Sequence, residues 1–277
     1  MFNLEKAYSS KILLIGEYGI LLGGRAFSMP YPHYCARWKY GSSFNSGLEP
    51  FLAFIKNNNQ LNSIINCNSF DSELKNNLYL KSNIPHGYGL GSSGSVVAAV
   101  YDRYTIQPEK NPDTLQGIFS IMESFFHGKS SGLDPLISYL NKPLIFSKEG
   151  TLISEMEFKL RNELFSITLV DSGFRRNTEN CINTFNSLLQ NTQFKDGFEK
   201  ELMSYNSFAL EALLSNNHNH FIEAWKLISK SSLLYLSSFI PVSIREDWEK
   251  GLDSGKYFYK LCGAGGGGYF LKLEVIE

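Results

Sequence analysis

The chain has 277 residues, 43% of them apolar and 19% charged, with a formal net charge of −1. Its length suits one large domain or two of ordinary size, and its composition excludes a disordered or fibrous chain. Near-neutrality leaves no overall field to draw in nucleic acid or an anionic membrane, so neither is expected as a partner.

The opening stretch MFNLEKAYSS lacks the basic-then-apolar pattern of a signal peptide, and Gly16, Glu17 and Gly19 interrupt the apolar run from Ile12 to Leu22. Cys35, Cys67, Cys181 and Cys262 form no C-x-x-C pair, and no histidine stands at metal-ligand spacing from them. A cytoplasmic, reduced protein without a zinc site or disulfide framework is expected.

KILLIGEYGILLGG reads as a strand from Lys11 to Ile15, a turn at Gly16 holding Glu17 and Tyr18, and a short strand from Gly19 to Leu22. Residues 46 to 66 have a helical pattern, and NNLYLKSNIPHGYG is a strand leaving through Pro85 into a glycine-dense loop. A helix is expected from Ser93 to Tyr104 and another from about Thr114 to Phe126, ending at His127-Gly128. GKSSGLD then forms a loop before PLISYL. KPLIFSK, TLISEMEF and FSITLVDSG follow as strands, and apolar spacings of three and four make the stretch from Arg176 to Leu236 mainly helical. KYFYKLCGAGGGGYFLKLEV closes the chain as strand, glycine loop and strand. No repeat of fixed period occurs, and a change of character near residue 155 suggests an N-terminal domain over 1–155 and a C-terminal one over 156–277.

The loop Gly89-Leu90-Gly91-Ser92-Ser93-Gly94 admits three readings. It fits the spacing of a dinucleotide fingerprint, but the acidic residue near the required distance, Glu109, lies in the polar stretch QPEKNPD and not at a strand end. As a phosphate cradle it would offer backbone amides at a helix N-terminus and the hydroxyls of Ser92 and Ser93, without being a Walker loop. It is also an ordinary glycine turn that starts a helix.

Three glycine-bearing signatures occur in order: KILLIGEYGILLGG, PHGYGLGSSGSV and KLCGAGGGG. This arrangement, which spans the whole chain, resembles the GHMP kinase superfamily of galactokinase, homoserine kinase, mevalonate kinase and phosphomevalonate kinase. The strongest likeness is to the mevalonate kinases, whose corresponding segment has a glutamate, then HG, then S-G-[IV]-D, as in MESFFHGKSSGLDPL here. Tyr18 stands where mevalonate kinases have histidine, and G-E-Y and GLGSSGSV are closer to phosphomevalonate kinases. The glycine pair that often follows this tyrosine in the family is missing after Tyr139.

The resemblance implies an α+β protein whose N-terminal domain is like domain 2 of ribosomal protein S5, with a ferredoxin-like C-terminal domain and the active site between them. It implies ATP and Mg²⁺ as cofactors, a small-molecule hydroxyl substrate, and a possible homodimer. Asp134 falls on the catalytic aspartate, with Lys11 as its companion. Ser93 and Glu123 fall on the magnesium ligands. The nucleotide would lie along Gly87, Gly89, Leu90, Gly91, Ser92, Ser93 and Gly94, and along Gly263, Ala264, Gly265 and Gly266. Glu17, Tyr18, Arg176 and Thr178 are implied near the substrate.

The chemistry gives these residue types a reason to meet. Phosphoryl transfer needs the γ-phosphate held in line, its charge neutralised and an acceptor hydroxyl oriented. Magnesium takes hard oxygen ligands such as a serine hydroxyl and a carboxylate. An aspartate can accept the hydroxyl proton, with a lysine as countercharge.

Each residue also has a plainer role open to it. Asp134 before Pro135 would cap a helix, Glu123 would be a solvated helix residue and Lys11 a surface lysine. Arg175 and Arg176 suit either a carboxylate or the open surface. His86 and His127 would shape loops, GAGGGG would be a permissive hairpin, and Cys262 a small buried residue. The activity expected is ATP-dependent phosphorylation of the primary hydroxyl of mevalonate, in isoprenoid precursor synthesis. Phosphomevalonate kinase is the alternative and diphosphomevalonate decarboxylase a third. From other classes, a non-catalytic nucleotide-binding relative and a dinucleotide-dependent oxidoreductase stay open.

Overall fold

Strand β1 (Tyr8–Ile15) is buried along nearly all of its length, which is why the apolar run KILLI follows a pair of serines instead of alternating with charges. The computed structural model describes residues 4–41, 47–147, 150–154, 158–175 and 177–276, with backbone alone at 152 and 153. β1 ends at Gly16, whose φ of +105° and distance of 2.5 Å from a built Cβ to the Ala26 side chain leave no room for any other residue. The expected strand from Gly19 to Leu22 is instead a single 3₁₀ turn. Tyr18 enters it at φ 56° and Gly23 leaves at φ 80°, with the Gly23 N–H donating to the Ile20 carbonyl at 3.1 Å. Two left-handed residues so close together bend the chain too tightly for a strand, and Leu21 is left exposed.

β2 (Ala26–Tyr40) follows, a 15-residue strand that carries Pro30 and Pro32. The helical pattern of 46–66 resolves into α1 (Glu49–Asn57) and α2 (Asn59–Ile64), separated at Asn58, whose extended backbone lets its side chain accept the Leu61 N–H. Then come α3 (Cys67–Lys75), β3 (Leu78–Ser82), α4 (Ser92–Tyr104), α5 (Pro112–His127) and α6 (Leu133–Leu140). Next are β4 (Leu144–Ser147), β5 (Gly150–Ile153), β6 (Phe165–Asp171), α7 (Thr178–Leu188) and α8 (Thr192–Phe198). A π-helical turn (Glu199–Met203) joins α8 to α9 (Ser204–Leu214), and α10 (His218–Tyr235), α11 (Val242–Ser254), β7 (Tyr257–Leu261) and β8 (Tyr269–Val275) complete the order.

Contacts divide the chain into two units, each drawn from several segments: 1–11, 29–85 and 90–142 form the first, and 12–28, 86–89 and 143–277 the second. In the first, β2 pairs antiparallel with β3 from Ala36↔Ser82 to Tyr40↔Leu78. Its core is built by α1, α3, α4, α5 and α6 around Trp38, Phe51, Phe70, Tyr101 and Phe119, all at most 2% exposed. In the second, Ala26–Ser28 of β2 pairs with β4, and β4 with β5. A separate antiparallel sheet of order β6-β8-β7 has the register Phe165↔Val275 to Asp171↔Tyr269 and carries α10 and α11 against β7. There Trp225 and Trp248 are fully buried and donate their indole N–H groups to the carbonyls of Phe258 and Ser229 at 3.0 and 3.2 Å. Burying large apolar side chains of this kind contributes about 1.5–3 kcal/mol each. Among the described residues no helix is long and apolar enough to cross a membrane, and all four cysteines are buried.

Candidate active site

In the first unit the central loop is pinned from both sides. The Leu90 carbonyl accepts the Lys11 N–H of β1 at 3.0 Å, and Gly91 then turns at φ 73° to become the N-cap of α4. A Cβ on Gly91 would lie 3.1 Å from the Lys11 side chain and 3.2 Å from Asp134 Oδ2; one on Gly94 would lie 2.8 Å from the Asp134 backbone. Both glycines are therefore required where α4 meets α6. A second left-handed glycine, Gly132 at φ 72°, opens α6, so Asp134 sits in that helix's first turn and not in the loop expected from sequence. Neither glycine offers a side-chain cap, whereas Asn111 caps α5 through the amides of Asp113 and Thr114. Two helix N-termini, each favourable to negative charge, thus carry Ser93 and Asp134.

Lys11 Nζ lies 3.2 Å from Asp134 Oδ1, the lysine side chain 9% exposed and the aspartate 34%. Beside this pair, the Ser93 hydroxyl donates to Glu123 Oε1 at 2.8 Å, and Ser130 donates to Oε2. Glu123 is buried inside α5. Burial, with the charge of Asp134 adding to it, pushes its carboxyl up to about 7, against the Ser130 and Ser93 hydroxyls and the Lys11 charge, which pull it down. Its proton is therefore held to higher pH than that of an ordinary carboxyl group.

Two neighbours of this cluster are His127, expected to shape a loop but found as the last residue of α5, and Ser130, which was not singled out from sequence. His127 Nε2 lies 2.9 Å from Ser93 Oγ, and Ser130 anchors the loop that carries Gly132 by accepting the Gly132 N–H at 3.0 Å. A signal for the histidine was present: Glu123 and His127 are four apart on one helix and share a face. Ser130 had none, because its position depends on its carbonyl accepting the Ser120 hydroxyl of α5 at 2.6 Å.

The remaining sequence candidates fall in the second unit. Gly87 and Gly89 are left-handed, at φ 78° and 81°, and flank Tyr88, whose backbone lies 2.8 Å from where a Cβ on Gly268 would stand. The loop after β7 turns through Gly263, Ala264, Gly265 and Gly266, with the Gly266 N–H donating to the Phe239 carbonyl at 2.7 Å. Glu17 and Tyr18, expected near a substrate, are turned inward. Glu17 is ion-paired with the fully buried Lys260, and the Tyr18 hydroxyl donates to the Ala264 carbonyl at 2.6 Å. Thr178 is the exposed first residue of α7, and Arg176 lies outside the described residues. The dinucleotide alternative does not fit. β3, which feeds the central loop, pairs antiparallel with β2, and Glu109 accepts the amides of Lys110 and Asn111 within its own loop.

Residues 59–142 match the model of the GHMP kinases N terminal domain. No curated protein matches the chain by sequence. Among solved structures, the L. major mevalonate kinase in complex with R-mevalonate is similar with a TM-score of 0.65 at 16% identity, over 96% of this chain and 86% of that one. The Methanococcus jannaschii mevalonate kinase gives 0.63 at 21% identity, over 98% and 90%. The Streptococcus pneumoniae phosphomevalonate kinase in complex with phosphomevalonate and AMPPNP gives 0.65 at 16% identity, over 98% and 92%. The stretch from α2 to α6 thus matches the GHMP kinase N-terminal domain, and the chain along nearly its whole length has the fold of these solved structures.

Proposed function

We propose that this protein is an ATP-dependent phosphotransferase that moves the γ-phosphate to the hydroxyl of a small molecule, and that the acceptor is mevalonate. The observation that carries the reading is the Lys11–Asp134 pair at 3.2 Å beside the Ser93–Glu123 pair at 2.8 Å, all four on elements of one unit. Asp134 accepts the proton of the acceptor hydroxyl as its oxygen bonds to the γ-phosphorus and the bond to the ADP oxygen breaks. Lys11 orients that carboxylate and supplies positive charge next to the phosphoryl oxygens. The amides at the start of α4 would hold the phosphates.

Ser93 and Glu123 would hold Mg²⁺. The ion would be held jointly by one carboxylate, one hydroxyl and phosphate oxygens. The donors are hard oxygens, and a carboxyl pushed up to about 7 is one that a cation would relieve. When bound, the ion neutralises charge on the β- and γ-phosphates. Thr178 and Arg176, which flank Asn177, are kept as candidate substrate contacts, and a domain boundary near residue 155 and a cytoplasmic location complete the reading.

A second reading, phosphomevalonate as acceptor, is favoured by the G-E-Y turn and GLGSSGSV, and by the structural likeness to the phosphomevalonate kinase. Coupled ADP release with mevalonate, phosphomevalonate and homoserine separates the acceptors. Fastest turnover with mevalonate is expected, and faster turnover with phosphomevalonate would replace the primary reading. Asp134→Ala should lower kcat about 10²–10⁴-fold. Turnover equal to wild type would remove the chemical role given to Asp134.

A further inference from the structure

The most deeply buried charge in the second unit is Lys260, on β7. It is 0% exposed, ion-paired with Glu17, and its ammonium also donates to the Leu261 carbonyl at 2.9 Å and lies 5.3 Å from the Trp225 ring centroid. A lysine so enclosed cannot reach a ligand. Its partner Glu17 is buried as well, so the pair is not a surface ornament. The residue after Glu17 closes a ring of contacts: the Tyr18 hydroxyl donates to the Ala264 carbonyl at 2.6 Å, and Ala264 follows Lys260 by four residues along the chain.

Three further observations show that the turn is gripped from more than one side. Tyr18 has the uncommon φ of 56° for a non-glycine residue, and its ring packs 4.4 and 4.9 Å from those of Phe185 and Phe239. Gly16 donates its N–H to the buried Asn206 side chain on α9 at 3.2 Å. Phe239 in turn accepts the Gly266 N–H, which ties the same aromatic cluster to the glycine loop. A left-handed tyrosine persists only where its surroundings over-determine it, and such backbone gathers at functional turns. The loop it touches is glycine but for Ala264, with only that methyl as a side chain to fix its path.

We propose that Lys260 is a positioning residue. Through Glu17 and Tyr18 it holds the glycine loop 263–268 in the conformation that receives the phosphates of a nucleoside triphosphate. The inference rests on the nucleotide-binding reading above for the identity of the ligand, but not for the ordering of the loop.

The test uses the full chain with Lys260→Met, Glu17→Gln, the double variant and Tyr18→Phe. Removing one member strands a buried charge or an unmatched partner, whereas removing both charges leaves a neutral core. The double variant is therefore expected to recover the thermal stability that Lys260→Met loses. Its amides at 263–268 should still exchange with deuterium at least tenfold faster than in wild type, and its affinity for a fluorescent ATP analogue should fall at least tenfold. A purely structural pair would regain all three together, so wild-type exchange in the folded double variant overturns the proposal. Should that variant not fold, Tyr18→Phe decides, since it deletes only the hydroxyl bond to Ala264: a few-fold faster exchange at 263–268 supports the proposal and unchanged exchange overturns it. Failure of the wild-type protein to bind the ATP analogue would overturn the nucleotide reading instead, with the exchange result still deciding the positioning.

Discussion

Glu123 and Glu17 are buried to the same degree, each 4% exposed, yet the two units treat them in opposite ways. Glu17 faces a lysine that is itself fully enclosed, so its charge is met inside the fold. Glu123 has two serine hydroxyls on its oxygens and, among the described residues, no ion pair; its proton is held up to about 7. A buried carboxylate given its cation by the chain is committed to holding backbone. One left with hydroxyls alone stays available to a cation from outside. The same residue type, equally hidden from water, thus serves architecture in one unit and suits ligand chemistry in the other.

The contrast predicts opposite signs on neutralisation. Lys260→Met strands Glu17 in the core and should cost about 3–5 kcal/mol, read as a lowered denaturant midpoint at pH 7.5. A loss under about 1 kcal/mol would mean that Glu17 finds water or another partner, and the comparison would collapse.

Glu123→Gln should do the reverse in metal-free protein. Glu123 binds its proton more tightly folded than unfolded, so folding takes up a proton between the ordinary carboxyl value of 4.5 and about 7. Its contribution is full below the unfolded value and is lost as pH rises through about 7. Each pH step of one between those two values is worth about 1.4 kcal/mol, so the substitution should raise stability above pH 7.5 by on the order of 2–3 kcal/mol and flatten the slope between pH 4.5 and 7. Thermal melts of both proteins across that range check it, and an unchanged slope would show that Glu123 is already matched. Adding Mg²⁺ and ATP should stabilise wild type more than the variant.

The smallest effect sharpens the same point. Ser130 donates to Glu123 and draws its carboxyl downward, so Ser130→Ala should move the upper end of the pH-dependent stability loss further up. A net loss of about 0.5–1.5 kcal/mol above pH 7.5 is expected from the missing hydrogen bond. A loss that is the same at pH 5 and pH 8 would show that Ser130 serves only the loop beneath it.

Much of this was legible before any coordinates. The early strand, the helix entered from the central glycine loop and the closing strand–loop–strand follow from apolar period and glycine punctuation, which act over a few residues. Legibility ended where local signals conflicted. Gly19–Leu22 has a strand's composition but lies between left-handed Tyr18 and Gly23, and sterics at those two residues override the apolar run. The strand β2 carries two prolines, which mask its pattern.

For the site, the sequence by itself supplied residue types in an order: Lys11, Ser93, Glu123 and Asp134, each attached to a recognisable turn or helix. Tertiary structure alone decided which of them touch. Lys11 meets Asp134 across 123 positions, and Glu17 meets Lys260 across 243, distances over which no period or spacing carries information. It also decided which carboxylate keeps its proton, because that depends on burial and on the charge of the nearest side chain, and both are properties of packing.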